Sequence, residues 1–161
     1  MRHVFFSFDW DDVWRVNQSR FSWVSKGSYT EAGFVDEAEI ETLKRSTDAA
    51  IRRWIDDQLY GTSVTCVMIR SRTAYSKWVR YEIQQSINKG NGLVGIYIHN
   101  MKDSYGLMSY AGKDPFSEPP FNFRPASYLV YPCCSYYDWV RDNGHWNLGD
   151  WIERAAQQAG R

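Results

Sequence analysis

Two apolar runs without a charged residue constrain the fold more than any other feature of this sequence. They cover Ser63–Ile69 and Gly92–His99, and both are rich in β-branched residues. Uninterrupted runs of this length are typical of strands that are covered on both faces, as in parallel sheets. Between them, Ser76–Lys89 has apolar residues at helical spacing, and Gly90 follows as a stop signal. The order strand, helix, strand predicts a parallel sheet with right-handed helical crossovers.

The N-terminal segments extend the same pattern. Val4–Phe8 is predicted as a buried strand, and Trp10–Val24 is predicted as a helix. Residues 25–33 are predicted as a mobile loop, with no recognisable strand before Asp36. One helix is predicted next, with Asp36 as its N-cap and Gly61 as its stop signal.

The C-terminal third has less regular patterning. Asn100–Pro125 holds four of the five prolines and is predicted as a long loop. Ser127–Tyr131 is predicted as the last strand, and both Tyr136–Val140 and Leu148–Ala159 are predicted as helices. Because the sequence shows no internal repeat and no second unit, residues 1–161 are expected to form a single domain.

The composition is that of a globular domain and excludes several classes of partner. The chain has 161 residues, of which 43% are hydrophobic, and its formal net charge is zero. Without an overall positive field, neither nucleic acid nor an acidic membrane is an expected partner. No apolar stretch is long enough for a signal peptide or a membrane helix, so a cytoplasmic location is expected. The three cysteines and three histidines lack metal-ligand spacing, so no metal site is expected.

Polar and aromatic side chains follow the predicted strands. In open α/β sheets, ligands bind beyond the carboxyl ends of the strands. The residues predicted at these ends are Ser7, Phe8, Asp9, Arg70, Ser71, His99 and Asn100. Neither of the familiar glycine-rich phosphate loops is present.

Glu82 is the most informative carboxylate in the sequence. It lies three residues after Val79, beside the apolar stripe of the predicted helix Ser76–Lys89. A carboxylate at this position lies either at the solvated rim of the core or in a cleft. Lone charges on helices are usually solvated, so periodicity alone favours the solvated rim.

Several short motifs, taken in their order, resemble TIR domains. Val4–Phe8 resembles the first TIR strand, and Ser76–Ile83 resembles the TIR catalytic helix, with Ser76, Trp78 and Glu82 matching in type and spacing. The TIR-like proteins of the Thoeris antiphage system share further motifs, here Arg15–Asn17, Thr62–Val67, Trp78–Ile83, Lys89–Asn91 and Tyr137–Val140. The resemblance implies an α/β, flavodoxin-like three-layer fold, with a central parallel sheet flanked by helices.

The resemblance also implies an enzyme that cleaves NAD⁺, with Glu82 as its catalytic residue. Nicotinamide is already a cationic leaving group, so the chemistry needs a carboxylate near the developing positive charge on the ribose. NAD⁺ is then the substrate, and no cofactor is required. The implied product is a cyclic ADP-ribose isomer or a related ADP-ribose signal that reaches a separate effector protein. A phage-derived trigger and assembly into a homo-oligomer are further expectations from the resemblance.

The candidate substrate-binding residues are Phe6, Ser7, Phe8, Asp9, Arg15, Asn17, Arg70, Ser71 and Trp78. Phe6 and Phe8 are candidates for stacking on nicotinamide or adenine, and the resemblance favours Phe6. Asp9 and Asn17 are candidates for contacts with ribose or nicotinamide. Arg15 and Arg70 are candidates for the pyrophosphate, since arginine binds phosphate oxygens bidentately. For the phenylalanines, core packing is an equally good interpretation, and Trp78 is expected mainly to position its helix.

Four other functions fit parts of the pattern. A non-catalytic TIR interaction module suits the aromatic content of 17%, but it does not need Glu82. A response-regulator receiver would need an aspartate after its middle strand, where this sequence has Arg70 and Ser71. A flavodoxin would need a first loop that binds phosphate, and here that loop is acidic. A nucleoside N-glycosidase also uses a glutamate, and competition by NAD⁺ would distinguish it.

Overall fold

In the part of the chain that the structure describes, five parallel strands form a sheet in the order β2-β1-β3-β4-β5. The computed structural model describes residues 2–24, 29–33, 35–121 and 131–161. The strands are β1 (Arg2–Phe8), β2 (Tyr29–Ala32), β3 (Val64–Ile69), β4 (Gly92–Tyr97) and β5 (Cys134–Asp138). Every neighbouring pair is parallel, which confirms the predicted α/β plan with a central parallel sheet.

Helices cover both faces of this sheet. The described residues form α1 (Val13–Val24), α2 (Glu37–Lys44), α3 (Asp48–Leu59), α4 (Lys77–Asn88) and α5 (Gly144–Gln158), with short 3-10 turns at Trp10–Asp12 and Thr73–Tyr75. On one face, Phe6 packs in a cluster with Val16 of α1 and Ile152 of α5. On the other face, Phe5 packs with Ile55 of α3. This is the predicted three-layer, flavodoxin-like arrangement. No helix within the described ranges has the length and apolar character that crossing a bilayer requires.

The predicted loop at 25–33 is wrong in its last part. Tyr29–Ala32 form β2, which pairs with Arg2–Phe5 of β1. Residues 25–28 of the same prediction lie outside the described residues. A four-residue strand at the edge of a sheet is too short to show a hydrophobic period, so the sequence pattern missed it.

The single helix predicted after Asp36 is also wrong, because the segment contains two helices. Asp36 caps α2 through a capping box with Glu39, as predicted. That helix ends at Lys44, and Thr47 then caps α3 by accepting a hydrogen bond from the backbone N–H of Ala50. The apolar spacing continues across the break, so hydrophobic periodicity alone did not reveal it.

The C-terminal predictions are partly corrected. Tyr136–Val140 is not a helix, because Cys134–Asp138 form β5 and pair with Leu93–Tyr97. Consecutive aromatic residues such as Tyr136 and Tyr137 favour a strand. Residues 127–130 of the predicted last strand lie outside the described residues. The helix predicted over Leu148–Ala159 corresponds to α5, which begins four residues earlier at Gly144.

Candidate active site

Glu82 lies near the middle of α4, and its side chain points into the protein. The residue is 3% exposed, so the solvated position that periodicity favoured is wrong. Its Oε2 accepts a hydrogen bond from the Ser7 hydroxyl, with 2.5 Å between the two oxygens. Val79 and Ile83 of the same helix are fully buried against β3 and β4, which fixes the face of α4 that meets the sheet.

The alternation of side chains along β1 explains why Ser7 meets this helix. Successive residues of a strand point to opposite faces, so Phe5 and Ser7 share the face covered by α3 and α4. Ser7 is completely buried and lies opposite Val67 of β3 in the sheet register. The hydroxyl is therefore held at the centre of the sheet, within reach of the one buried carboxyl on α4.

Burial controls the charge of Glu82. Desolvation raises the pKa of this carboxyl to about 8, and the hydrogen bond from Ser7 opposes the shift only partly. The ionised form is disfavoured because a charge removed from water loses its hydration. At neutral pH and in this conformation, the carboxyl therefore holds its proton.

This burial predicts a pH dependence of stability that Glu82→Gln should reduce. Because the folded-state pKa lies above the ordinary 4.5, the folded protein holds the proton more tightly than the unfolded chain does. The resulting stabilisation is complete below about pH 4.5 and is lost as the pH rises to about 8. Between these limits, the wild type should lose on the order of 4 kcal/mol more stability than Glu82→Gln. Thermal unfolding across this range measures the difference, and parallel curves for the two proteins would contradict it.

Both arginines predicted to bind pyrophosphate have protein partners in this structure. Arg70 donates through Nε to Asp12, and its Nη1 donates to the Ser109 hydroxyl at 3.0 Å. Arg15 is 7% exposed and donates to the carbonyl oxygens of Met101 and Leu107, at 3.1 and 3.2 Å. The two side chains tie the segment after β1 to the loop after β4, at the carboxyl edge of the sheet. Their contacts with pyrophosphate stay a prediction.

Asp12 is a functional candidate that the sequence analysis missed. It is 2% exposed and ion-paired with Arg70, yet burial raises the pKa of its carboxyl to about 6 because desolvation outweighs the attraction of the arginine. Its second oxygen, Oδ2, is buried and has no partner within the described part of the chain. The sequence showed Asp12 only as one member of an acidic cluster, and nothing in that cluster distinguished it.

The structure places the predicted stacking residues away from Glu82. Phe6 and Phe8 are 2% and 3% exposed and belong to the core on the α1 and α5 face, whereas Glu82 lies on the other face. Trp78 is half-buried on α4, edge-to-face with Tyr81 at a ring distance of 6.3 Å. The positioning role expected for Trp78 stays a prediction.

The remaining candidates lie around the carboxyl edge. Asp9 caps the 3-10 turn by accepting from the Asp11 backbone N–H at 3.0 Å. Asn17 is half-buried, and its Oδ1 is buried without a partner among the described residues. Ser71 is half-buried and lies against the backbone at Gly112. The approach is close, because a Cβ added at Gly112 would lie 2.6 Å from the Cα of Ser71. Of the nine candidates, only Ser7 is hydrogen-bonded to the side chain of Glu82 in the described structure.

Comparison with known proteins identifies the relatives of this site. Residues 5–103 match the family profile described as Thoeris protein ThsB, TIR-like domain. That span runs from β1 past β4 and includes both Ser7 and Glu82. The chain is also 34% identical, over an alignment of 189 positions, to a protein of Bacillus cereus (strain MSX-D12) named "Putative cyclic ADP-D-ribose synthase ThsB1". The alignment covers 94% of this chain and 98% of that protein.

Proposed function

Because the chain belongs to the Thoeris ThsB family of TIR-like proteins, we propose that it cleaves the nicotinamide–ribose bond of NAD⁺ and forms a cyclic ADP-ribose isomer. The observation that carries this proposal is the buried carboxyl of Glu82, which has one hydrogen bond, from Ser7. An apolar side chain would fill the position without the cost of burying an acid. A buried carboxyl whose pKa is raised this strongly is typical of catalytic sites.

The chemistry requires a negative charge beside the ribose. The bond between ribose C1 and the pyridinium nitrogen breaks with both electrons going to nicotinamide, which leaves as a neutral molecule. Positive charge then develops on the ribose, and an ionised Glu82 stabilises it in a water-poor site. A nucleophilic group of the same ADP-ribose unit then forms the new bond to ribose C1 and closes the ring, whereas attack by water at C1 gives ADP-ribose. In either case a proton carried by the attacking group is released to solvent.

The buried state of Glu82 implies that the enzyme has to open before it acts. A carboxyl that is 3% exposed is not accessible to a dinucleotide, so neighbouring residues have to move when NAD⁺ binds. The approaching pyridinium favours the ionised carboxylate, and the Ser7 hydroxyl remains as its hydrogen-bond donor. We propose that assembly into a homo-oligomer or a phage-derived trigger favours the open state, and that the product then acts on a separate effector protein.

Product analysis tests this function. The purified protein is incubated with NAD⁺, alone and with extract of phage-infected cells, and nicotinamide and nucleotides are separated by chromatography. The proposal predicts release of nicotinamide together with a nucleotide that has the mass of cyclic ADP-ribose. Release of ADP-ribose alone would support NAD⁺ cleavage and contradict cyclisation. Intact NAD⁺ under every condition, with a folded protein, would contradict both.

The pH dependence of the reaction provides an independent prediction. The apparent constant kcat/KM reports the free enzyme, in which burial raises the pKa of Glu82 to about 8. If the ionised form acts, kcat/KM should rise about tenfold per pH unit below this value and level off above it. Ser7→Ala should move the inflection to higher pH, because the Ser7 hydrogen bond lowers the pKa of Glu82. A flat profile in the wild type would show that ionisation of Glu82 is not required.

A second candidate function is that of a non-catalytic interaction module. Its support is the loop after β4, where large apolar side chains face solvent: Tyr105, Leu107, Met108 and Tyr110. Exposed apolar groups close together are typical of contact surfaces. This function leaves the buried acid on α4 without a role, so we favour catalysis.

A further inference from the structure

Three polar residues in the motifs that resemble Thoeris proteins have no part in the function proposed above. Thr62 and Thr65 belong to the motif before and within β3, and Asn91 follows α4. The structure brings these three side chains together with Ser86 of α4 in the interior. Thr65, Ser86 and Asn91 are completely buried, and Thr62 is 1% exposed. Buried polar groups are costly unless they are paired, so their partners need an explanation.

Hydrogen bonds join these side chains in a row that ends at the backbone of Glu82. The Asn91 side-chain amide donates to the Thr62 hydroxyl at 2.9 Å and to the Thr65 hydroxyl at 3.2 Å. The hydroxyl oxygens of Thr65 and Ser86 are 2.7 Å apart. The Ser86 hydroxyl lies 2.7 Å from the carbonyl oxygen of Glu82 and donates to it.

The direction of each hydrogen bond follows from the available protons. A serine hydroxyl has one proton, and Ser86 uses it for the Glu82 carbonyl. Thr65 must therefore donate to Ser86, and it accepts in turn from Asn91. Thr62 donates to the carbonyl oxygen of Leu59 at 2.7 Å and also accepts from Asn91. Chains in which each hydroxyl both accepts and donates polarise one another and are strengthened.

Glu82 is therefore held from two strands. Its side chain is bound to Ser7 of β1, and its backbone carbonyl is bound through Ser86 to Thr65 of β3. Apolar packing would hold α4 against the sheet without fixing its position along the helix axis, because apolar contacts are not directional. Hydrogen bonds are directional, so they set how far the helix extends along β3.

We propose that Thr65 and Ser86 are positioning residues, which fix α4 on β3 so that the Glu82 carboxyl lies at Ser7 and reaches the ribose of NAD⁺. The inference rests on the function proposed above for the meaning of that position. It gives a role to Thr65, a motif residue that the proposed chemistry itself does not use. A shift of about 1 Å at a catalytic group can cost on the order of a hundredfold in rate.

Two substitutions of Thr65 distinguish positioning from packing. Thr65→Val keeps the shape of the side chain and removes the hydroxyl, whereas Thr65→Ser keeps the hydroxyl and removes the methyl group. Positioning predicts that Thr65→Val lowers kcat by about tenfold or more with little change in KM. Thr65→Ser should keep kcat near the wild-type value, although its thermal midpoint falls. If Thr65 only fills space, Thr65→Val should keep a kcat near the wild-type value and Thr65→Ser should lower it. In Thr65→Val, Asn91 still donates to Thr62 and Ser86 still donates to Glu82, so each of these two side chains keeps one partner.

A titration gives a result that does not depend on turnover. The ¹³C resonance of the Glu82 carboxyl, identified by its loss in Glu82→Gln, is followed with pH in each protein. Wild type and Thr65→Ser should titrate near 8, and Thr65→Val and Ser86→Ala should titrate closer to 4.5 as the carboxyl moves toward water. If the wild type fails to cleave NAD⁺, the proposed function is lost, and the titration still tests the positioning. A Thr65→Val protein with the wild-type kcat and titration midpoint would overturn the inference.

Discussion

Glu82→Gln is expected to lower the rate of nicotinamide release from NAD⁺ by roughly 10²- to 10³-fold, the loss typical when one electrostatic contact to a transition state is removed. Glutamine has nearly the same size as glutamate and still accepts a hydrogen bond from Ser7. It carries no charge, so it cannot stabilise the positive charge that develops on the ribose. The change should therefore appear mainly in kcat, because the positive charge on the ribose develops only in the transition state.

A matched variant separates this effect from a general loss of charge. Glu118 lies in the loop after β4, where its Oε1 is 3.8 Å from the Nζ of Lys113. Glu118→Gln makes the same chemical change as Glu82→Gln but leaves Glu82 and Ser7 intact. It should cleave NAD⁺ at the wild-type rate. Equal rates for wild type and Glu82→Gln would remove Glu82 from the mechanism.

Asp12→Ala is expected to have the largest effect on stability, with a loss on the order of 3 kcal/mol. Asp12 is 2% exposed, and it is the counter-ion of Arg70, whose side chain is 19% exposed. Removing the carboxylate leaves a partly buried guanidinium with a hydroxyl partner, Ser109, and with no ion-paired carboxylate, although Asp103 still interacts with it electrostatically. Removing one member of a buried pair costs more than removing both, because the remaining charge is desolvated and uncompensated.

The double variant tests this explanation. Asp12→Ala combined with Arg70→Met removes both charges, and it should recover part of the stability that Asp12→Ala loses. Urea unfolding of the wild type, the two single variants and the double variant measures the coupling. A single Asp12→Ala variant within about 0.5 kcal/mol of the wild type would show that the pair contributes little.

The sequence predicted the centre of the fold better than its edges, for a physical reason. The runs at β3 and β4 are covered on both faces, so their apolar character is continuous and distinctive. The edge strands are different, because β2 has four residues, and only Tyr136–Asp138 of the predicted helix Tyr136–Val140 belong to β5. Edge strands have one neighbour and an open side, so their sequences do not need the apolar run that made β3 recognisable.

The candidate site was predictable in part. The motif around Glu82 identified the acid, but its burial depends on Ser7, which lies 75 residues away in sequence. The partners of Arg15 are backbone carbonyl oxygens of a loop, and backbone acceptors leave no trace in a sequence pattern. Phe6 was favoured through resemblance, and the structure places its side chain in the core on the other face of the sheet.

The most direct test of the central claim is a crystal structure of Glu82→Gln with NAD⁺ bound. The variant should retain intact substrate, since it lacks the charge that drives cleavage. The account predicts that the nicotinamide ribose lies within hydrogen-bonding distance of the side chain at position 82. The residues that bury Ser7 and position 82 in the unbound protein should be displaced to admit it. NAD⁺ bound at another surface, with position 82 still buried against Ser7, would contradict the account.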